Sequence, residues 1–348
     1  MFASVRAHAP RLSRSLLARQ IRHNASAAAS AATSDAAYQE AVKVLRAHRD
    51  EKLAKVKAFE ERLKKLDSTA ADKQRKHLEK HIYKLRVQAE QDQPETLARV
   101  ESGDIDLTVP VFRHLRERIW REGVRETLLE RITQMYVLPD VLPPSMSPVM
   151  DVHLEFADPA DAATPVRFTH GDILPTTLVA QAPQVHAQCF HDETRLYTLM
   201  MVDPDDPCPA ERTYRTRCHW LVANVPFHLT QSTMAEGAGE TVLAYEAPLP
   251  TKGTKRHRYT LLVLEQAAGG QERMTIQAEA LSDRIVDVTS FLQQHQLTPR
   301  GITFFRSEWD EAVDQLYPQV HGVRAPVYGR APKLDPVRDA ALIQRLMA

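Results

Sequence analysis

Cysteine is scarce in this sequence. Cys189, Cys208 and Cys218 are the only three among 348 residues, and no two of them form a CxxC pair. An odd number of cysteines without such a pair argues against a disulfide framework and against a structural zinc site. We therefore predict no metal centre and a reducing compartment.

Long apolar runs and nucleophile motifs are missing as well. No run approaches the roughly 18 apolar residues that a membrane-spanning helix needs. The G-x-S-x-G pattern that places a nucleophilic serine on a sharp turn does not occur either. We find no constellation that supports catalysis. The sequence therefore predicts a protein that is not an enzyme, with no membrane span, no catalytic residues and no cofactor.

Acidic residues are absent from the first 34 positions, whereas five arginines occur there. Apolar residues alternate with those arginines, without the continuous apolar core that a secretory signal requires. This composition is typical of a mitochondrial transit peptide. Residues 1–34 are therefore predicted to direct the chain to the mitochondrial matrix, and a disordered basic tail is the alternative.

Glycine and proline are absent from residues 36–90, and apolar residues there are spaced by three and four, as in a helix: Leu53, Val56, Phe59, Leu63 and Leu66, then Leu78, Ile82 and Leu85. Thr69 followed by Asp72 resembles a capping box, so a second helix is predicted to start there. A further helix is predicted from 110 to 136, interrupted near Gly123. Residues 35–136 are thus predicted to form a charged α-helical extension.

The formal net charge of zero hides an uneven distribution of charge. Residues 40–90 hold 15 Lys and Arg against 9 Asp and Glu, whereas residues 138–317 hold 13 against 24. Basic extensions on an acidic body suit a polyanion such as RNA, and simply solvated faces of a helical hairpin are the alternative. The candidate RNA- or partner-binding residues are Lys52, Lys55, Arg62, Lys64, Lys65, Lys73, Arg75, Lys76, Lys80, Lys84 and Arg86.

The composition changes at Val137, where the proline-rich run VLPDVLPPSMSP ends the helical part. Short apolar segments separated by turn residues follow, which is typical of an antiparallel, Greek-key β-sandwich. Residues 137–317 are therefore predicted to form a mainly β domain with peripheral helices at 287–294 and 308–316. Strands are predicted at 151–156, 166–168, 197–202, 219–225, 260–264 and 274–278.

The remaining residues, 318–348, hold five basic and two acidic residues and begin with prolines and glycines. They are too polar to fold alone, so an extended tail that runs over another surface is predicted. A short amphipathic helix beginning at Asp335-Pro336 should end it.

Three segments of the β domain carry a specific pattern: Asp203-Pro204-Asp205-Asp206-Pro207, His219-Trp220 and His257-Arg258-Tyr259. With VRFTHGDIL and RGITFFRSEWDEAV, they resemble the phosphatidylethanolamine-binding protein (PEBP) family, in the family's order and at fitting separations. The resemblance covers roughly half of the chain. It implies a fold of two antiparallel sheets with peripheral helices, in agreement with the β pattern.

The resemblance also implies a small pocket that accepts phosphate-type head groups, lined by Asp203, Asp205, His219, His257 and Tyr259. The chain departs from the family around that pocket. Asp206 stands where the family has a small residue, and a second carboxylate disfavours an anion. Ala247 and Lys255 replace glycines, and Thr251 replaces a proline. We therefore favour a buried hydrogen-bond network over a working anion site.

The order of transit peptide, basic helical arm, PEBP domain and tail is similar to the branch of the family found in the mitochondrial large ribosomal subunit, especially in fungi. It implies a structural role at the central protuberance, with ribosomal RNA and neighbouring ribosomal proteins as partners. The alternative is a soluble matrix protein of PEBP type that binds phospholipid or another anion, or regulates a kinase. A small anionic ligand is the partner that this alternative requires.

Overall fold

A computed structural model describes residues 33–66, 72–161 and 164–329. Three predictions fall largely or wholly outside these residues: the transit peptide at 1–34, the Thr69 cap of the second helix, and the helix near Asp335. The boundaries at 34, 136 and 317 stay predictions.

The helical extension begins with an antiparallel hairpin of α1 (Thr33–Lys64) and α2 (Asp72–Glu90). Val56, Ile82 and Leu85 form its buried seam, with Phe59 and Leu63 packed beside them. Ion pairs across the hairpin join Arg86 to Glu60 at 2.5 Å and Arg49 to Glu90 at 3.6 Å. The earlier residue of α1 pairs with the later residue of α2, so the two helices are antiparallel. The seam predicted from the spacing of apolar residues is confirmed.

Three further helices connect the hairpin to the β domain. After α3 (Pro94–Ser102), helix α4 (Pro110–Ile119) passes through a π turn, Trp120–Val124, into α5 (Arg125–Gln134). The predicted interruption near Gly123 is this π turn. Buried Arg113 of α4 forms an ion pair with Asp192 and lies over the ring of Tyr83 at 5.1 Å. The hairpin is therefore held against the domain and is not a free arm.

The described residues contain eight strands: β1 (Asp151–Ala157), β2 (Pro165–Arg167), β3 (Gln184–Gln188), β4 (Arg195–Cys208), β5 (Thr213–Phe227), β6 (Glu240–Leu243), β7 (Arg256–Glu265) and β8 (Thr298–Glu308). They build two antiparallel sheets. The three-stranded sheet has the order β2-β1-β3, and the five-stranded sheet has the order β6-β5-β4-β7-β8. Helices α6 (Val288–Gln294) and α7 (Glu311–His321) accompany them.

The five-stranded sheet is buried on both faces. On β4, Leu199 and Met201 pack toward the three-stranded sheet, whereas Met200 and Val202 pack toward helices α5 and α6. A sheet covered on both faces takes a continuous apolar sequence, which explains the unbroken run LYTLMMV at 196–202. The predicted mainly β sandwich with peripheral helices is confirmed.

One predicted strand, at 274–278, is wrong. Asn224 of β5 donates its side-chain amide to the Met274 carbonyl at 2.8 Å and accepts from the Met274 amide at 3.0 Å. A side chain thus satisfies the backbone groups that a strand ladder would have used, and the segment continues into a 3-10 turn, Ala278–Leu281. The list of predicted strands also lacked β3, β6 and β8.

Arg258 of β7 ties the end of the helical extension to the five-stranded sheet. Arg258 of β7 donates to the backbone carbonyls of Met135 and Tyr136, at 3.0 and 2.7 Å, just beyond α5. The same guanidinium forms ion pairs with Asp140 at 2.8 Å and with Asp205 at 2.7 Å. The end of the helical region is therefore fixed to the strands that carry the candidate site.

Candidate functional site

The polar side chains of the predicted pocket meet because their strands are neighbours. In the order β5-β4-β7, the sheet brings His219 of β5, Asp203 of β4 and the two residues His257 and Tyr259 of β7 together. These four side chains line a cavity of about 180 Å³, and all four are buried. The structure therefore assembles four of the five predicted pocket residues.

Asp205, the fifth predicted residue, lies outside the lining of this cavity. Its carboxylate accepts from Arg258 Nε and Nη2, at 2.8 and 2.7 Å, and from the Arg258 backbone amide at 3.0 Å. Arg258 in turn binds the backbone carbonyls of Met135 and Tyr136 just beyond α5. In this chain Asp205 thus holds Arg258 in place, a contact that the motif spacing gave no means of finding.

Asp203 and His257 form a buried pair at the base of the cavity. His257 Nδ1 donates to Asp203 Oδ2 at 2.7 Å, and His257 Nε2 lies 2.7 Å from Thr254 Oγ1. The Thr254 hydroxyl donates to the Thr251 carbonyl at 2.9 Å, so it accepts from His257. Both ring nitrogens therefore carry protons. Burial lowers the pKa of His257, but the neighbouring carboxylates, Asp203 first among them, outweigh burial and the net shift of the pKa is upward.

His219, unlike His257, is a neutral imidazole. Its Nδ1 donates to the Glu246 carbonyl at 3.0 Å, which leaves Nε2 buried without a partner among the described residues. Burial lowers the pKa of His219, so the ring stays neutral and Nε2 presents a lone pair to the cavity. The ring of Tyr259 meets His219 edge-on, with 5.1 Å between centroids, and burial raises the Tyr259 pKa well above its usual value.

These hydrogen bonds change the chemistry expected of the pocket. The resemblance implies a pocket for phosphate-type head groups, and an oxyanion needs hydrogen-bond donors. In the structure, the N–H groups of His257 already bind Asp203 and Thr254, and the N–H group of His219 binds Glu246. A neutral His219 Nε2 accepts a hydrogen bond and cannot donate one to an oxyanion.

Three charged residues of the cavity wall were missed by sequence reasoning: Arg215, Arg217 and Glu246. Arg217 holds Glu246 through two hydrogen bonds, at 2.8 and 3.2 Å, and Arg215 pairs with Asp206 at 3.0 Å. The repulsion expected from Asp206 is thus offset by Arg215. Both arginines are already paired, so an incoming anion would have to displace a carboxylate. No motif signal marks these pairs, because their members lie 9 and 29 positions apart and the fold brings them together.

One of the two positions where the chain replaces a family glycine has the backbone conformation that favours glycine. Lys255 has a φ of 69°, in the left-handed region, and Gly253, two residues earlier, has a φ of 97°. A non-glycine residue there costs about 1–2 kcal/mol. The other position, Ala247, is buried in the cavity wall and does not have a positive φ.

Comparison with known proteins agrees with this geometry. The phosphatidylethanolamine-binding protein family matches residues 164–305. The large ribosomal subunit protein mL38 of Schizosaccharomyces pombe is 30% identical over 247 residues, which are 70% of this chain and 77% of that protein. The chain belongs to the phosphatidylethanolamine-binding protein family.

Two solved structures are also similar in fold. A phosphatidylethanolamine-binding protein from Plasmodium vivax is 19% identical and covers 52% of this chain and 97% of its own, with a TM-score of 0.42. A carboxypeptidase Y inhibitor complexed with its cognate proteinase is 21% identical and covers 53% and 97%, with a TM-score of 0.43.

The eleven candidate RNA- or partner-binding residues of this PEBP member fall into two sets. Six have partners on the hairpin: Lys55, Lys64, Arg75 and Arg86 pair with carboxylates, Lys52 contacts Gln88, and Arg62 lies over Phe59. Within the described chain, no ion pair or hydrogen bond occupies the other five, which are exposed: Lys65, Lys73, Lys76, Lys80 and Lys84.

Two kinds of site are not found in the part of the chain that the structure describes. No group of three or more His, Cys, Asp or Glu side chains is placed to hold a metal ion there. No helix in the same residues is long and apolar enough to cross a membrane. The three cysteines are buried thiols, and burial raises the pKa of Cys189 to about 11 and of Cys218 to about 12.

The opposite pKa shifts of the two histidines give a pH prediction. A raised folded-state pKa at His257 means that its contribution to stability is complete below about pH 6.5 and is lost as pH rises through the folded pKa. The lowered pKa of His219 has the opposite effect, so the contribution of His219 to stability is lost as pH falls.

We expect the difference in unfolding free energy between the native chain and His257→Gln to shrink above about pH 6.5. Urea titrations from pH 5.5 to 8.5 measure it, and a difference that grows with pH contradicts the assignment.

Proposed function

We propose that this protein is a structural constituent of the large subunit of the mitochondrial ribosome. The observation that carries the proposal is the extent of the likeness to mL38. The 247 aligned residues exceed the 142 residues from 164 to 305 that the family domain occupies, so the likeness includes chain outside that domain. Shared residues beyond a common fold support a shared assembly, because the fold alone is compatible with many functions.

Import into the mitochondrial matrix is part of this proposal. It is supported by the five arginines and the missing acidic residues of positions 1–34, a composition suited to a transit peptide. A position at the central protuberance, among ribosomal RNA and neighbouring ribosomal proteins, completes the proposed setting.

Ribosomal RNA is the partner that we assign to the helical hairpin. Lys73, Lys76, Lys80 and Lys84, here called the lysine stripe, follow one another at helical spacings along α2. At about 100° per residue they lie within roughly 80° of each other, on the side opposite the buried seam at Ile82 and Leu85, and they extend over about 16 Å. A stripe of one sign is suited to the regularly spaced charges of a nucleic-acid backbone.

The hairpin leaves this stripe accessible. Helix α4 covers the C-terminal half of α2, where Val87 is buried and the Tyr83 hydroxyl donates to the Pro110 carbonyl at 3.4 Å. All four stripe lysines are exposed. Glu79 of α2 pairs with Arg75 at 3.7 Å and not with a stripe lysine. Among the side chains that the structure describes, no carboxylate pairs with a lysine of the stripe.

We further propose that the cavity supports the fold and performs no catalysis. Its imidazole N–H groups and its arginines are already occupied by protein partners, as a stabilising network requires. A second candidate, a matrix protein that binds a phospholipid head group or regulates a kinase, rests on the unpartnered Nε2 of His219.

Sedimentation separates the two candidates. A structural constituent should migrate with the large ribosomal subunit when mitochondrial lysate is fractionated, whereas a soluble binding protein should stay near the top of the gradient. Phosphoethanolamine provides an independent test on the full chain, because a true ligand at 100 times its dissociation constant adds about 2.7 kcal/mol to stability. We expect no such gain.

A further inference from the structure

The chain that follows α7 returns to the cavity. Helix α7 ends at His321, and Gly322 takes a left-handed φ of 70° that turns the backbone away from the helix. Residues 322–329, here called the C-terminal strap, then run along the rim. Pro326 and Tyr328 of the strap line the cavity together with Tyr317 and His321 of α7.

The strap is bound as a short added strand. Val327 bridges Lys252 in parallel, and the Tyr328 amide donates to the Lys252 carbonyl at 2.7 Å. Val327 is 72% exposed, whereas Pro326 and Tyr328 on either side face the cavity, which is the alternation of an extended segment. An edge that takes up one extended peptide in this way is a β-augmentation site.

Both sides of the contact are shaped for it. A Cβ atom at Gly253 would overlap the carbonyl oxygen of Tyr328, so only glycine allows the strap to come this close. The Lys252 ammonium lies over the Trp309 ring at 4.4 Å, which holds the accepting edge in place. Ala325 packs against the apolar group that contains Leu249 and Val313.

The accepting edge is also tied to the base of the cavity. Thr251 and Thr254 belong to the same turn as Gly253, and the Thr254 hydroxyl lies 2.7 Å from His257 Nε2. The buried Asp203–His257 pair therefore supports the turn from inside, and the strap covers it from outside. The same residues that would receive a head group position the edge that receives the strap.

We propose that the Lys252–Gly253 edge is a peptide-binding site occupied by the chain's own residues 325–328, and that the bound strap covers the mouth of the cavity. This proposal goes beyond the proposed function and does not depend on it, because the strap can be bound whether or not the protein is in the ribosome. It assigns the rim to a protein segment, and that segment then forms part of the cavity wall.

The test uses the full chain and two readouts. Trypsin can cut after Arg324, within the strap, and the rate of that cut reports how often the strap is released. The variant Ala247→Cys places a thiol in the cavity wall, and its reaction with iodoacetamide reports access through the mouth. The three native cysteines are buried and give the background labelling rate.

Gly253→Ala should release the strap, because its methyl group would meet backbone atoms of Tyr328 that cannot rotate away. We expect at least about a tenfold increase in both rates, since losing one hydrogen bond and its packing shifts a local opening by that order. Gly103→Ala is the matched control. Its φ of 80° carries the same backbone strain, but nothing lies within 4 Å of the added atom, so both rates should stay unchanged.

Tyr328→Ala provides a second test that adds no strain at Gly253. It removes the side chain that faces the cavity and should raise the labelling of Ala247→Cys by a similar factor. Rapid cutting after Arg324 in the native chain, at the rate of Gly253→Ala, would overturn the binding of the strap. Equal labelling with and without Tyr328 would overturn its covering of the mouth.

Discussion

Replacing the lysine stripe with glutamine should weaken the salt dependence of RNA binding by this protein. Each phosphate contact makes the negative slope of log affinity against log salt steeper by about 0.7 to 0.9. The loss of Lys73, Lys76, Lys80 and Lys84 should therefore make that slope shallower by about 3. Between 50 and 200 mM salt, the native chain should accordingly lose roughly 50- to 150-fold more affinity than the variant. Filter binding to large-subunit ribosomal RNA at several salt concentrations measures both quantities.

The chain contains a matched control for this experiment. Glutamine at Lys55, Lys64, Arg75 and Arg86 removes the same number of positive charges from the same hairpin, but each of these four side chains is already paired with a glutamate. Exposed pairs contribute little to stability, so both variants should fold. If the two variants lose the same amount of affinity, only the net charge of the hairpin matters, and the assignment to the stripe is wrong.

Removing one member of the buried Asp203–His257 pair should destabilise the domain strongly. His257→Ala leaves the Asp203 carboxylate, whose residue is 2% exposed, without its charged partner. Breaking a buried pair in this way costs about 3–5 kcal/mol. For a domain of this size each kcal/mol lowers the melting temperature by about 2–4 °C, so a decrease on the order of 10 °C is expected by calorimetry.

His48→Ala serves as the control, because His48 is exposed on α1 and should change stability by less than about 0.5 kcal/mol. The double variant with Asp203→Ala should cost less than the sum of the two single changes, since removing both charges leaves neither one unpaired. Additive losses, or a loss at His257 no larger than that at His48, would contradict a pair that holds the cavity together.

The helical extension was readable from the sequence because its determinants are local. A stretch without glycine or proline, with apolar residues at helical spacing, is sufficient to form α1 and α2 and their seam at Val56, Ile82 and Leu85. The interruption of the later helix near Gly123 was predictable for the same reason, because glycine is a local signal. Strands β4, β5 and β7 were visible because continuous apolar runs mark a sheet that is covered on both faces.

The failures of sequence reasoning have non-local causes. The segment 274–278 has the residues of a strand, but Asn224, 50 positions earlier, binds its backbone. Strand β3 is only five residues long, and the 26 residues from 158 to 183 separate it from its partner β1. Short strands of this kind depend on the partner that tertiary structure supplies, so local composition does not reveal them.

The candidate site was also predicted only in part from the sequence. The motifs identified four cavity residues, because family spacing records which strand ends meet. They could not show that Asp205 binds Arg258, that Arg215 and Arg217 pair with Asp206 and Glu246, or that Tyr328 returns to the rim. Each of these contacts joins residues that the fold alone brings together, and together they commit charged groups of the site to protein partners.

The position of the protein in a gradient of mitochondrial lysate tests the central claim most directly. At low magnesium, where the ribosomal subunits separate, the protein should follow the RNA of the large subunit and be absent from the small-subunit fractions. It should stay there when weakly bound proteins are washed off with moderate salt. Recovery of the protein at the top of the gradient, free of large-subunit RNA, would contradict a structural role in the ribosome.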